Sequence, residues 1–170
     1  MKPAAALTRS GIIGILATSQ TLGSAPFSRL IKKHGGGMKI LSQACPEWVA
    51  CVERGELDSP NTYAWAEYYV MPLLTQGADT LVLGCTHYPF VAPVIRELAG
   101  PSVTIVDPAA AVAKELHRRL TAGGLLSPKN TAGTEQFWTS GSRKPVQAVI
   151  AQLWGRPVEV HALPALYSTR

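Results

Sequence analysis

The stretch Thr80-Leu-Val-Leu-Gly-Cys-Thr-His-Tyr-Pro89 constrains what this chain can fold into more than any other. The apolar run Leu81 to Leu83 suits a short buried strand, and it ends in Gly84. Pro89 then opens a helical pattern from Phe90 to Leu98, because proline is suited to a helix's first turn. A buried strand passing straight into a helix is the building unit of a parallel α/β sheet. Its junction brings together a thiol (Cys85), a hydroxyl (Thr86) and an imidazole (His87). Open α/β sheets hold ligands at that edge, and a helix N-terminus there would favour a thiolate.

The same alternation of apolar runs and helical patterns extends along most of the chain. Residues 11–18 read as a buried strand, 24–34 as a helix closed by Gly35-Gly-Gly37, and 38–44 as the next strand. Pro46 opens a short helix with Trp48, Val49 and Val52 on its apolar face, ended by Glu53-Arg-Gly55. Ser59 caps a longer helix whose Tyr63, Ala66, Val70, Leu73 and Leu74 keep helical spacing. Pro72 inside that pattern predicts a kink. After the strand at 80–84 and its helix comes a strand at 103–106. Asp107 then reads as an N-cap and Pro108 as the first residue of a helix with Ala109, Val112, Ala113, Leu116 and Leu120 on one side. A loop rich in Gly, Ser, Pro and Asn follows, with a boundary placed near 107–125. The tail offers one more strand, helix and strand at 135–139, 145–154 and 158–163.

Composition supports a real core and narrows the partners. Of 170 residues, 46% are hydrophobic and only 16% charged, which argues against a disordered or coiled-coil chain. The net charge of +5 is dispersed, with no basic run longer than two residues, so a nucleic-acid partner is not expected. No segment reaches membrane-spanning length and the N-terminal apolar run is too short for a signal peptide. Cysteines at 45, 51 and 85 lack the even count of a disulfide framework, so the cytoplasm is the expected compartment.

Taken singly, the candidate site residues admit plain readings beside functional ones. A cysteine at a strand end is by default a small buried hydrophobe. His87 is compatible with a helix cap, Glu53 with an ordinary exposed residue, and Thr18 and Thr21 with turn caps. Cys45 and Cys51 read as packing residues. No Cys-x-x-Cys pair supports a zinc site among the cysteines and His87.

Several motifs in order resemble those of the glutamate racemases, in the aspartate/glutamate racemase family. Gly84-Cys85-Thr86-His87-Tyr88-Pro89 resembles that family's second cysteine motif. Leu16-Ala17-Thr18-Ser19-Gln20-Thr21 is similar to its Ala-Thr-x-x-Thr strand end. The Cys45-Pro-Glu to Val52-Glu53-Arg-Gly55 segment is similar to its Cys-Pro…Val-Glu-x-Gly segment, and Thr104-Ile-Val-Asp-Pro108 to the strand that follows. The resemblance implies an α/β fold with a parallel sheet flanked by helices, in the pseudo-symmetric two-domain arrangement of racemases with one domain incomplete. Residues 1–107 would form the second domain, carrying the Gly-Cys-Thr-His motif. Residues 108–170 would be the C-terminal part of the first domain, whose N-terminal half, with its Asp-Ser pair and Cys-Asn-Thr motif, is expected upstream of Met1.

What the resemblance implies chemically is a cofactor-independent amino-acid racemase, an isomerase, interconverting L- and D-glutamate for peptidoglycan synthesis. Inversion at Cα needs a proton removed from one face and another returned to the opposite face, and two thiols suit that work. By the resemblance Cys85 is one of the two, His87 assists its proton exchange, and Glu53 orients His87. Thr86, His87, Thr18 and Thr21 would bind the glutamate substrate. Neither Cys45 nor Cys51 is followed by Asn-Thr, so the second thiol is expected from the missing half, and the chain by itself is expected to be inactive. A homodimer is compatible with this reading. The alternatives are a racemase of another small carboxylate such as aspartate, a thiol hydrolase with a covalent Cys85 intermediate, and a non-catalytic remnant or binding fragment.

Overall fold

The computed structural model describes residues 1–128 and 131–164. Along the chain lie α1 (Lys2–Leu7), β1 (Ile12–Ala17), α2 (Ser19–Leu22), α3 (Ala25–His34), β2 (Lys39–Ala44), α4 (Pro46–Glu53), α5 (Pro60–Thr75) and β3 (Thr80–Leu83). A 3₁₀ turn (Tyr88–Val91) leads into α6 (Ala92–Ala99). Then come β4 (Thr104–Val106), α7 (Ala109–Ala122), β5 (Phe137–Thr139), α8 (Arg143–Trp154) and β6 (Val160–Ala162).

The first four strands form one parallel sheet in the order β2-β1-β3-β4. Parallel neighbours need helical crossovers, and alternation along the strands shows which face each crossover covers. Leu16, Leu81 and Leu83 point into a core shared with Trp48 and Val52 of α4, Ala66, Val70 and Leu73 of α5, and Ile95 of α6. Ile13, Ile15, Ala17, Val82 and Val106 point the other way, onto Ala4 of α1 with Leu22, Phe27 and Ile31. The helices between β1 and β2 therefore lie on the opposite face from those joining β2 to β3. The chain changes direction across the sheet between β1 and β3, and that is the switch point at which open α/β sheets form their crevice.

Helix ends follow local chemistry. The Ser24 and Ser59 hydroxyls accept from the amides of Phe27 and Thr62, closing the N-termini of α3 and α5 as the sequence predicts. Where a kink is expected at Pro72, α5 runs through it to Thr75. Two N-termini differ from the sequence reading. Phe90 lies in the 3₁₀ turn, and α6 itself begins only at Ala92. Pro108, not Asp107, is the N-cap of α7; the Asp107 carboxylate still accepts from the Ala109 amide over 2.9 Å.

The tail strands pair in parallel with each other, Phe137 opposite Val160, and do not join the four-stranded sheet. Helix α7 buries no residue. Its predicted apolar face exists as a stripe, but Ala109, Val112, Ala113 and Leu116 are exposed on it. Among the described residues, no helix is long and apolar enough to cross a membrane.

Candidate active site

The loops that leave β1, β2 and β3 are stitched together by backbone groups. The Gly84 amide donates to the Leu16 carbonyl over 2.7 Å, and the Cys45 amide to the Ala17 carbonyl over 3.0 Å. The Tyr88 hydroxyl, buried, donates to the Cys45 carbonyl over 2.7 Å. Position 84 needs glycine for a steric reason: a Cβ there would come within 2.9 Å of the Ala17 Cβ and 3.0 Å of the Leu16 oxygen.

Beyond Gly84 the chain turns, the Tyr88 amide donating to the Cys85 carbonyl over 3.2 Å. That turn sets the half-buried Cys85 Sγ 3.8 Å from His87 Nδ1. The other ring nitrogen, Nε2, lies 2.8 Å from Glu53 Oε1, reached from the C-terminal end of α4. Thiol, imidazole and carboxylate thus form one chain, along which a proton can pass between sulfur and ring while the carboxylate orients the imidazole. His87 holds the N-cap position of the 3₁₀ turn, as the plain reading has it, but its side chain makes no capping hydrogen bond. The expected α-helix N-terminus at Cys85 is also absent: the motif enters a 3₁₀ turn, and the start of α6 is displaced along the chain from the thiol.

Thr18 does cap a helix, its Oγ1 accepting from the Thr21 amide over 3.2 Å and lying 2.9 Å from Thr21 Oγ1. The two hydroxyls stand together just beyond Ala17, the residue against which Gly84 packs. Thr86 is exposed. A cleft of about 540 Å³ runs between Gly84, Cys85 and Thr86 on one side and Asp107, Ala109 and Val112 on the other. His87 and Glu53 face a smaller cavity of about 240 Å³, closed by Val146 and Leu153 of α8.

The other two thiols are shut away. Cys45 and Cys51 are both buried, and burial pushes the Cys45 thiol far up, well out of the range of physiological ionisation. Among the described residues no three His, Cys, Asp or Glu side chains form a metal-binding cluster. Sequence reasoning gave no role to Tyr88, although it stands inside the cysteine motif. Tyr88 is buried among half-buried and exposed neighbours in the turn, and a buried phenol needs a partner for its hydroxyl.

A family model described as Asp/Glu/Hydantoin racemase matches residues 2–116. The chain belongs to this family. It is 48% identical over 165 residues to the glutamate racemase of Methylococcus capsulatus, covering 97% of this chain and 61% of that protein. It is 44% identical over 163 residues to the glutamate racemase of Pseudomonas aeruginosa, with 96% and 61% covered. Among solved racemase structures, isoform RacE1 of Bacillus anthracis superposes with a TM-score of 0.83 at 27% identity, over 99% of this chain and 62% of that one. The Francisella tularensis glutamate racemase, solved with D-glutamate, shares the fold with a TM-score of 0.79 at 21% identity, over 98% and 62%. The chain therefore spans about 61% of the length of the curated racemases it matches.

Proposed function

We propose that this chain supplies one face of a glutamate racemase site, interconverting L- and D-glutamate by cofactor-independent proton transfer at Cα. The observation that carries the reading is the Cys85–His87–Glu53 chain at the switch point of the sheet. In one direction the Cys85 thiolate takes the Cα proton and becomes a thiol, leaving a planar carbanion. A second thiol on the opposite face then gives its own proton to Cα. In the other direction Cys85 is the donor. His87 exchanges protons with Cys85, and Glu53 orients the ring. Thr86, Thr18 and Thr21 hold the polar groups of glutamate.

Cys45 and Cys51 are poor candidates for the opposing thiol, because both are buried. We assign that thiol to a racemase segment outside this sequence. On this reading residues 1–107 are the second racemase domain and 108–170 part of the first. The exposed stripe of α7 and the separate two-stranded sheet support that division. The product D-glutamate would serve peptidoglycan synthesis.

The test measures exchange of the glutamate Cα hydrogen in deuterated water, using the chain completed with the remaining racemase segment. Cys85→Ser should lower racemisation by about 10² or more, the scale of a lost acid–base group. The 170-residue chain by itself should show negligible turnover. Unchanged racemisation in Cys85→Ser would remove the assignment.

A further inference from the structure

Tyr88 is fully buried, and its hydroxyl ties the cysteine motif to Cys45, the residue just before α4. The acceptor, the Cys45 carbonyl, belongs to the N-cap of α4, and Pro46 starts that helix one residue later. The Cys45 amide is meanwhile held by Ala17 of β1. Both backbone groups of Cys45 are therefore used, one toward the central strand and one toward the phenol. At its far end the same helix carries Glu53, whose carboxylate meets His87, the residue next to Tyr88. The Trp48 ring, in the first turns of α4, packs edge-on against Tyr88 with centroids 5.2 Å apart. Helix α4 is thus fixed to the motif at both ends, by Tyr88 at its start and by the Glu53–His87 hydrogen bond at its finish.

We infer that Tyr88 is a positioning residue, whose hydrogen bond to the Cys45 carbonyl sets α4 so that Glu53 reaches His87 and His87 stays beside Cys85. This rests on the proposed role of the Cys85–His87–Glu53 chain. A merely structural tyrosine would fill the core equally well without its hydroxyl. A short α-helix moves as a rigid rod, so a small shift at its N-cap is carried along to Glu53. A carboxylate–imidazole bond of 2.8 Å tolerates little displacement.

The test follows the rate of Cys85 alkylation by iodoacetamide against pH in the 170-residue chain. Cys85 is the one half-exposed thiol of the three, so the reagent reports on it. A ring nitrogen held beside the sulfur can take up the thiol proton as the carbon–sulfur bond forms, and so raises the rate. His87→Ala and Glu53→Gln calibrate the readout by removing the ring or its partner. Tyr88→Phe, which keeps the ring and its packing, should lower the neutral-pH rate by about three- to tenfold, toward the Glu53→Gln value. Trp48→Phe loosens the same link from the α4 side and should shift the profile in the same direction by less. It also carries the test should Tyr88→Phe not fold. Ile13→Val, in the core on the other face of the sheet, should lower the melting temperature and leave the profile unchanged.

A wild-type profile in folded Tyr88→Phe overturns the inference. So does a wild-type profile in Trp48→Phe when Tyr88→Phe is unfolded, or an equal shift in Ile13→Val. If His87→Ala itself leaves the profile unchanged, the proposed coupling of Cys85 and His87 has failed, and the role of Tyr88 falls with it. A shift in His87→Ala without one in Tyr88→Phe leaves the coupling standing and removes only the positioning role.

Discussion

Gly84 and Leu16 are joined by an amide-to-carbonyl bond of 2.7 Å that closes the sheet's central pair of strands immediately before the reactive turn. That bond, together with the Ala17 side chain, fixes where Cys85 can stand. The candidate site therefore rests on backbone contacts that have no side chain at position 84 to hold them apart.

Gly84→Ala tests this directly. The added Cβ would lie 2.9 Å from the Ala17 Cβ, and that neighbour cannot swing away because it belongs to a buried strand. A loss of about 1–3 kcal/mol is expected from overpacking. Urea denaturation measures the loss, and the Cys85 alkylation rate reports any displacement of the thiol.

Asp79 should give the fold a distinct sensitivity to acid. Desolvation by itself would raise its pKa. It is outweighed by hydrogen bonds from the Thr8 hydroxyl and the Arg9 and Ser10 amides, each at 2.7 Å, and from the Thr80 hydroxyl at 3.0 Å. The net effect holds the carboxyl well below the usual carboxylate range. A group depressed in the folded state binds its proton more readily when unfolded. Its contribution is therefore complete above about pH 4, the unfolded value, and is lost as the pH falls below it. Asp79→Asn should destabilise the chain at pH 7 by about 1–2 kcal/mol, a figure reduced for solvent at a half-buried site. Wild type and variant should converge in thermal melts taken as the pH is lowered through 4. A constant difference at every pH would count against the carboxylate as the source.

The stripe on α7 should govern association and contribute little to stability. Val112 is 63% and Leu116 57% exposed, so replacing both with glutamine removes no buried contact. The melting transition should move by no more than about 0.5 kcal/mol. In sedimentation at high concentration, the average mass of the wild-type chain should exceed 18.1 kDa, and that of the double variant should fall toward it. A wild-type chain that stays monomeric would show that the stripe is not adhesive.

What could be read from the sequence was largely what is local. The four strands of the main sheet announced themselves as apolar runs, and Ser24 and Ser59 announced their helices by capping chemistry. Helix α1 gave no such signal; its alanines carry no periodicity, and only Ala4 is buried. The two N-termini misplaced in the sequence reading both contain proline, which permits the first turn without fixing which residue begins it. The α7 stripe was legible as a pattern, but a pattern cannot say whether anything covers it. Glu53 lies 34 residues from His87, and Tyr88 lies 43 from Cys45. No spacing rule connects positions so far apart. Glu53 entered through family resemblance, and the Tyr88 bond became visible only in three dimensions.

The burial pattern leaves the chain lopsided. Every buried hydrophobic residue among those described falls at or before Val106, with the single exception of Val160. The tail nevertheless reaches back, the Gln152 side chain donating to the Gly55 carbonyl just past the helix that bears Glu53. Cohesion and reach thus belong to different parts of the molecule. One part carries the core, while the other rests on it by a few side chains and supplies, through Val146 and Leu153, one wall of the cavity at His87.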